Sequence, residues 1–120
     1  MVKTSMSMNR GEVWILDLNP RNGTNEMDKI RPVVIVNDDS MGILPLKVIV
    51  PLTSWQSSFS GNPWLVKITK NNTNKLSNDS AADTFQIRSV DKSRFKNRIG
   101  RLNNNQMQRI EDALILVLKL

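Results

Sequence analysis

Histidine, cysteine and tyrosine are absent from this 120-residue chain. Their absence removes a histidine general base and every Ser-His-Asp arrangement. It also removes thiol nucleophiles, disulfides and Cys-based metal or redox sites. Fixed positive charge, carboxylates and hydroxyls are what remain for chemistry. Two residues stand at the ends of β-branched runs. Arg31 opens Arg31-Pro32-Val33-Val34-Ile35-Val36, and Thr53 follows Val48-Ile49-Val50-Pro51-Leu52, 22 residues further on. A guanidinium forks onto two oxygens of one anion and stays charged at any working pH. A threonine hydroxyl can donate to the same anion. Two strand ends can meet at one rim of a small sheet. Each residue also has a plainer reading, a surface arginine at a strand start and a threonine satisfied within a turn.

The charge balance points the same way. Seventeen Lys and Arg against eleven Asp and Glu leave a net charge of +6. Much of the excess sits in Arg88, Lys92, Arg94, Lys96, Arg98 and Arg101, a stretch with Asp91 as its sole acid. Such a run draws a phosphate backbone or an acidic protein segment; the plain alternative is a solvated hairpin face. Trp55, between Ser54 and Gln56, suits stacking on an unpaired base, or a core or an interface. Asp38-Asp39-Ser40 reads as a strand-ending turn rather than a Mg²⁺ site. Met1 to Arg10 lacks the apolar core of a secretory signal. The longest apolar run, Ala113 to Leu118, is too short to span a bilayer. A cytoplasmic protein without membrane contact is the expectation.

The elements that must hold these residues are mostly strands. The sequence predicts strands at Glu12–Leu18, Pro32–Val36, Lys47–Val50, Trp64–Ile68, Ala81–Arg88 and Arg98–Leu102. Pro51 is expected to end or bulge the third. Asn22–Lys29 is a polar loop, Trp55–Pro63 a Ser-rich loop, and Asn71–Asn78 a turn-laden connection. Asp91–Asn97 can hold a helical turn. A terminal helix follows Asn103, whose side chain can cap it with Gln106 closing the box. Met107, Ile110, Leu114, Val117 and Leu118 make its apolar stripe, read as a face packed on the sheet. One domain over residues 1–120 is expected, with residues 1–9 as a flexible lead-in. Short strands and one helix suit a small curled sheet or barrel.

Four motifs in order carry a resemblance. They are Arg10-Gly11-Glu12-Val13-Trp14 with Arg31-Pro32-Val33-Val34; Val48 to Ser54; Gln86-Ile87-Arg88-Ser89-Val90-Asp91-Lys92; and Ile99-Gly100-Arg101-Leu102 before the helix. Together they resemble the MazF/PemK family of toxin endoribonucleases, over about Arg10 to Leu118. The resemblance implies a mainly β, SH3-like small barrel with a C-terminal α-helix, working as a homodimer. It implies metal-independent, cofactor-free cleavage of single-stranded RNA. It also implies a cognate MazE-like antitoxin, an extended segment of which lies across the toxin dimer.

In such an enzyme the RNA's own 2′-hydroxyl attacks the adjacent phosphate, leaving a 2′,3′-cyclic phosphate and a 5′-hydroxyl. The resemblance assigns catalysis to Arg31 and Thr53. Glu26 and Asp83 are the carboxylates offered as proton acceptor. The loop around Glu26 reads Gly23-Thr24-Asn25-Glu26-Met27 and is one residue longer than in many relatives. The Arg–Asp pair of PemK-type members is replaced here by Asp83 and Phe85. Thr24, Asn25, Lys29, Ser54, Trp55, Gln56, Phe85, Gln86 and Arg88 are the expected RNA contacts. Two rivals share the barrel: a CcdB-like gyrase inhibitor without nuclease activity, and an RNA-binding barrel without catalysis.

Overall fold

Seven antiparallel strands and one helix make up the computed structural model, which describes residues 7–17 and 30–120. The strands are β1 (Glu12–Asp17), β2 (Ile30–Ile35), β3 (Leu46–Ser54), β4 (Leu65–Ile68), β5 (Ser80–Asp83), β6 (Arg88–Asp91) and β7 (Phe95–Arg101). They pair in the order β4-β5-β3-β2-β1-β7, with β6 also on β3. The helix α1 spans Asn104–Leu118. This is the small curled β architecture with a terminal helix that the sequence suggests. The loop Asn22–Lys29, with Thr24, Asn25, Glu26 and Lys29, lies outside the described residues, as do residues 1–6 of the lead-in. Of the rest of that lead-in, Met8 packs against Trp14 and its neighbours, and the Asn9 backbone N–H donates to Glu12.

The β-branched runs are continuous because the central strands are buried on both faces. Val13, Val34, Val50 and Leu52 face one core cluster, which α1 covers with Met107, Ile110 and Ala113. Their neighbours Trp14, Val33, Ile35 and Ile49 face a second cluster on the other side. Ile110 is fully buried. Its replacement by alanine should cost about 2–5 kcal/mol, readable as a lower urea midpoint. The predicted cap forms as a complete box: Gln106 N–H donates to Asn103 Oδ1 at 2.8 Å, and Asn103 N–H donates to Gln106 Oε1 at 3.1 Å. The apolar stripe outruns the body it packs on, since Leu118 is exposed.

Three strand expectations are corrected. Pro51 neither ends nor bulges β3; the strand runs through it to Ser54. Val36 N–H donates to Val48 carbonyl, so the alternation of the β2–β3 ladder puts Pro51, opposite Val33, at a position without ladder hydrogen bonds to β2. Its nitrogen therefore faces the other edge. There β3 changes partner, from β6 at Ile49 to β5 at Leu52, and no donor is required. The single strand expected over Ala81–Arg88 is two strands, divided by a 3₁₀ turn at Thr84–Gln86. That turn is capped by Asp83, which accepts from Phe85 N–H. The last strand starts earlier than expected, at Phe95, after the 3₁₀ turn Lys92–Arg94.

The Arg10-Gly11-Glu12 motif is structural. The Arg10 guanidinium donates to the Val36 carbonyl and pairs with Glu111 of α1. Buried Glu12 accepts from Asn9 N–H and Trp14 Nε1, and pairs with Arg98 at 3.5 Å. Gly11, at φ +90°, donates to the Ile35 carbonyl and accepts from Leu102 N–H, a backbone that side chains disfavour. The motif thus ties β1, β2 and α1 together. The Asp38-Asp39-Ser40 segment is a turn, as read. Asp38 accepts from Ser40 N–H, which holds its carboxyl below the ordinary aspartate range. Asp39 accepts from Arg10 N–H at 2.7 Å.

Candidate active site

The β2–β3 ladder ends at Val33 opposite Pro51. Its register, carried two residues further, sets Arg31 opposite Thr53 on one side of the sheet. The β2–β3 ladder has ended by then: β2 continues against β1 and β3 against β5, and a groove lies at this end of the sheet. Arg31 and Thr53 both line this groove, whose volume is about 390 Å³. That lies within the range of small-ligand clefts. Buried Leu52 and Leu76, with Ile15 and Ile99, supply its apolar surface. Ser54, Lys75, Ser77 and Asn78 supply the polar edge.

Both principal residues are half-buried and uncommitted. Among the described residues neither the Arg31 guanidinium nor the Thr53 hydroxyl has a hydrogen-bond or ion-pair partner. A partly desolvated guanidinium without a carboxylate favours an incoming anion. The hydroxyl opposite can donate to that same anion. Such a pair can grip one phosphodiester group and stabilise negative charge growing on its oxygens.

The structure does not bring every expected residue to this groove. Asp83 caps the 3₁₀ turn after β5 and also accepts from Gln86 Nε2 at 2.8 Å. It does not line the groove, and its oxygens are occupied elsewhere. Phe85, 67% exposed, packs edge-on against Trp64 at 6.3 Å, also away from the groove. Arg88 is exposed on β6, opposite Ile49. Ser54 does line the groove, and its neighbour Trp55 turns aside. The Trp55 ring meets Phe59 edge-on at 5.7 Å and lies under the Lys67 ammonium at 5.4 Å. Gln56 is exposed before the 3₁₀ turn Ser57–Phe59. The basic run is not one free patch, because Arg94 donates to the Asp17 carbonyl and Arg98 pairs with Glu12.

Sequence reasoning missed the second wall. Residues 71–78 were legible only as turns, yet they carry Lys75, Ser77 and Asn78 into the groove. Asn side chains shape this loop. Asn71 Oδ1 accepts from Thr73 and Asn74 N–H. Asn74, fully buried, accepts from Asn71 and Leu76 N–H and donates to the Thr69 carbonyl. The density of Asn is the signal, since these side chains bond local backbone in place of a ladder.

The loop rests directly on β7 at Gly100. A Cβ there would stand 2.5 Å from the carbonyl oxygens of both Thr73 and Asn74. Gly100→Ala must therefore push the loop outwards. We expect a loss of about 1–3 kcal/mol in chemical denaturation, accompanied by reduced activity of the groove.

The chain and its fold have counterparts among known proteins. Residues 9–118 match the family model for the PemK-like, MazF-like toxin of type II toxin–antitoxin systems. The chain is 34% identical over 113 residues to the endoribonuclease MazF of Staphylococcus saprophyticus, covering 94% of this chain and 92% of that one. Its fold is shared by a mycobacterial endoribonuclease solved in complex with its cognate antitoxin, at a TM-score of 0.74 and 21% identity, covering 95% of this chain and 97% of that one. MazF from Deinococcus radiodurans is similar in fold at a TM-score of 0.73 and 20% identity, covering 93% of this chain and 96% of that one. With nearly its full length matched, this chain belongs to the PemK-like, MazF-like toxins of type II toxin–antitoxin systems.

Proposed function

We propose that the chain is a MazF-type endoribonuclease that cuts single-stranded RNA in the Arg31–Thr53 groove. One observation carries this reading: Arg31 and Thr53, 22 residues apart in sequence, line a common cleft, and among the described residues neither the guanidinium nor the hydroxyl has a partner. The scissile phosphate lies between them. Arg31 forks onto its non-bridging oxygens and Thr53 Oγ donates to the same group. The 2′-hydroxyl oxygen attacks phosphorus, the bond from phosphorus to the 5′ oxygen breaks, and a 2′,3′-cyclic phosphate remains. The 2′ proton passes to a base and the departing 5′ oxygen takes up a proton. Glu26, five residues before Arg31 in the chain, is the carboxylate retained as acceptor. Holding attacking and leaving oxygens in line can supply about 7–11 kcal/mol.

The same reading makes the active form a homodimer in the cytoplasm, neutralised by a MazE-like antitoxin. A type II toxin is by definition paired with a protein antitoxin, and a cationic groove accepts an acidic peptide as it accepts RNA.

The test is direct. Purified protein is incubated with a single-stranded RNA library in excess EDTA, and product ends are identified by mass spectrometry. Cyclic phosphate and 5′-hydroxyl ends are expected. Intact RNA with inhibited gyrase would instead support the CcdB-like reading, and binding without cutting would support a non-catalytic barrel.

A further inference from the structure

We propose that Lys75 grips the RNA strand through a phosphate next to the scissile one, as a binding residue distinct from Arg31 and Thr53. The inference rests on the endoribonuclease reading for its ligand and on the loop's geometry for its location. Lys75 has φ +55°, in the left-handed region that lysine seldom occupies. Glycine would hold this conformation without strain. The loop enforces it, because Lys75 N–H donates to the Asn71 carbonyl at 2.9 Å and buried Asn74 fixes both flanks. Strain held this firmly fixes the position of one residue, and that residue lines the same groove as Arg31 and Thr53. Among the described residues its ammonium has no ion-pair or hydrogen-bond partner. A second free cation in a cleft of about 390 Å³ matches a polyanionic strand better than a single anion. An ammonium is a point charge without the guanidinium's fork. It therefore suits a phosphate that is held and not reacted.

The experiment compares Lys75→Gly, Lys75→Arg and the unaltered chain. Lys75→Gly relieves the backbone strain while deleting the charge, so its melting temperature should not fall. Binding is read by fluorescence anisotropy on a single-stranded RNA carrying one 2′-deoxy residue at the cut site, over a salt series. We expect Lys75→Gly to bind about fivefold to tenfold more weakly at low salt. The slope of log Kd against log salt should fall by about 0.7, the value for one phosphate contact on a single strand. The loss should be uniform across RNA sequences, and Lys75→Arg should keep the slope. In cleavage assays KM should rise with kcat nearly unchanged.

An unchanged slope, or a loss confined to one base sequence, overturns the proposal while cleavage by the unaltered chain still upholds the enzyme. A changed slope without any cleavage does the reverse. A poly-glutamate peptide whose binding depends on Lys75 more strongly than RNA binding does would assign the cation to a protein partner, and would also overturn it.

Discussion

Arg31→Ala should lower the rate of RNA cleavage by about 10³–10⁵-fold, the range seen when a charge-stabilising arginine is removed from a phosphoryl-transfer site. The reason lies in where Arg31 sits. It is half-buried near the start of β2, without a carboxylate partner among the described residues, and it lines the groove. The charge of the reacting phosphate increases along the attack, so a fixed fork is worth more in the transition state than in the bound substrate. The loss should fall on kcat and on kcat/KM alike, with little change in KM. Arg31→Lys restores charge without the fork and should recover only part of the rate. Since Arg31 makes no described structural bond, thermal stability should be nearly unchanged. A large fall in melting temperature, or a defect confined to KM, would remove Arg31 from the chemistry.

A substrate with a single 2′-deoxy residue on the 5′ side of the cut should resist cleavage altogether. In the proposed reaction that hydroxyl is the nucleophile, and the chain has neither thiol nor imidazole to replace it. A neighbouring hydroxyl in line acts at an effective concentration of about 10⁵–10⁸ M, which water cannot match. The deoxy strand should still bind and compete with the intact RNA, because its phosphates are unchanged. Quantified cleavage on denaturing gels settles the point, and undiminished cutting would require an external nucleophile.

Much of the fold could be read from local chemistry. Pro32 to Val36 and Val48 to Val50 are continuous apolar runs because β2 and β3 are covered on both faces, which composition reveals directly. Asn103 and Gln106 announce the helix start through their own hydrogen bonds. What stayed hidden depends on distant partners. Pro51 looks like a terminator until β3 is seen to exchange β6 for β5 beside it. Ala81 to Arg88 looks like one strand because the bend at Thr84–Gln86 is set by Asp83 capping and by Thr84 N–H reaching the Trp64 carbonyl.

The site divides in the same way. Arg31 and Thr53 stand at the ends of recognisable strands, where each also had a plainer reading, and the family resemblance is what singled them out. Asp83 ends β5, the partner strand of Thr53, and Phe85, Gln86 and Arg88 follow it through the 3₁₀ turn and β6, yet none of the four lines the groove. Lys75 was missed because left-handed backbone at a lysine has no local signature. It follows from buried Asn74 and from the seat that Gly100 provides.

The central claim is that Arg31 and Thr53 hold one phosphate together. A double-mutant cycle on kcat with Arg31→Ala, Thr53→Val and their combination tests it most directly. Groups that act as a unit on one reacting centre are strongly non-additive. The account predicts a double variant scarcely slower than Arg31→Ala alone. If the two losses multiply in full, the residues act independently, and the shared grip on the phosphodiester is contradicted.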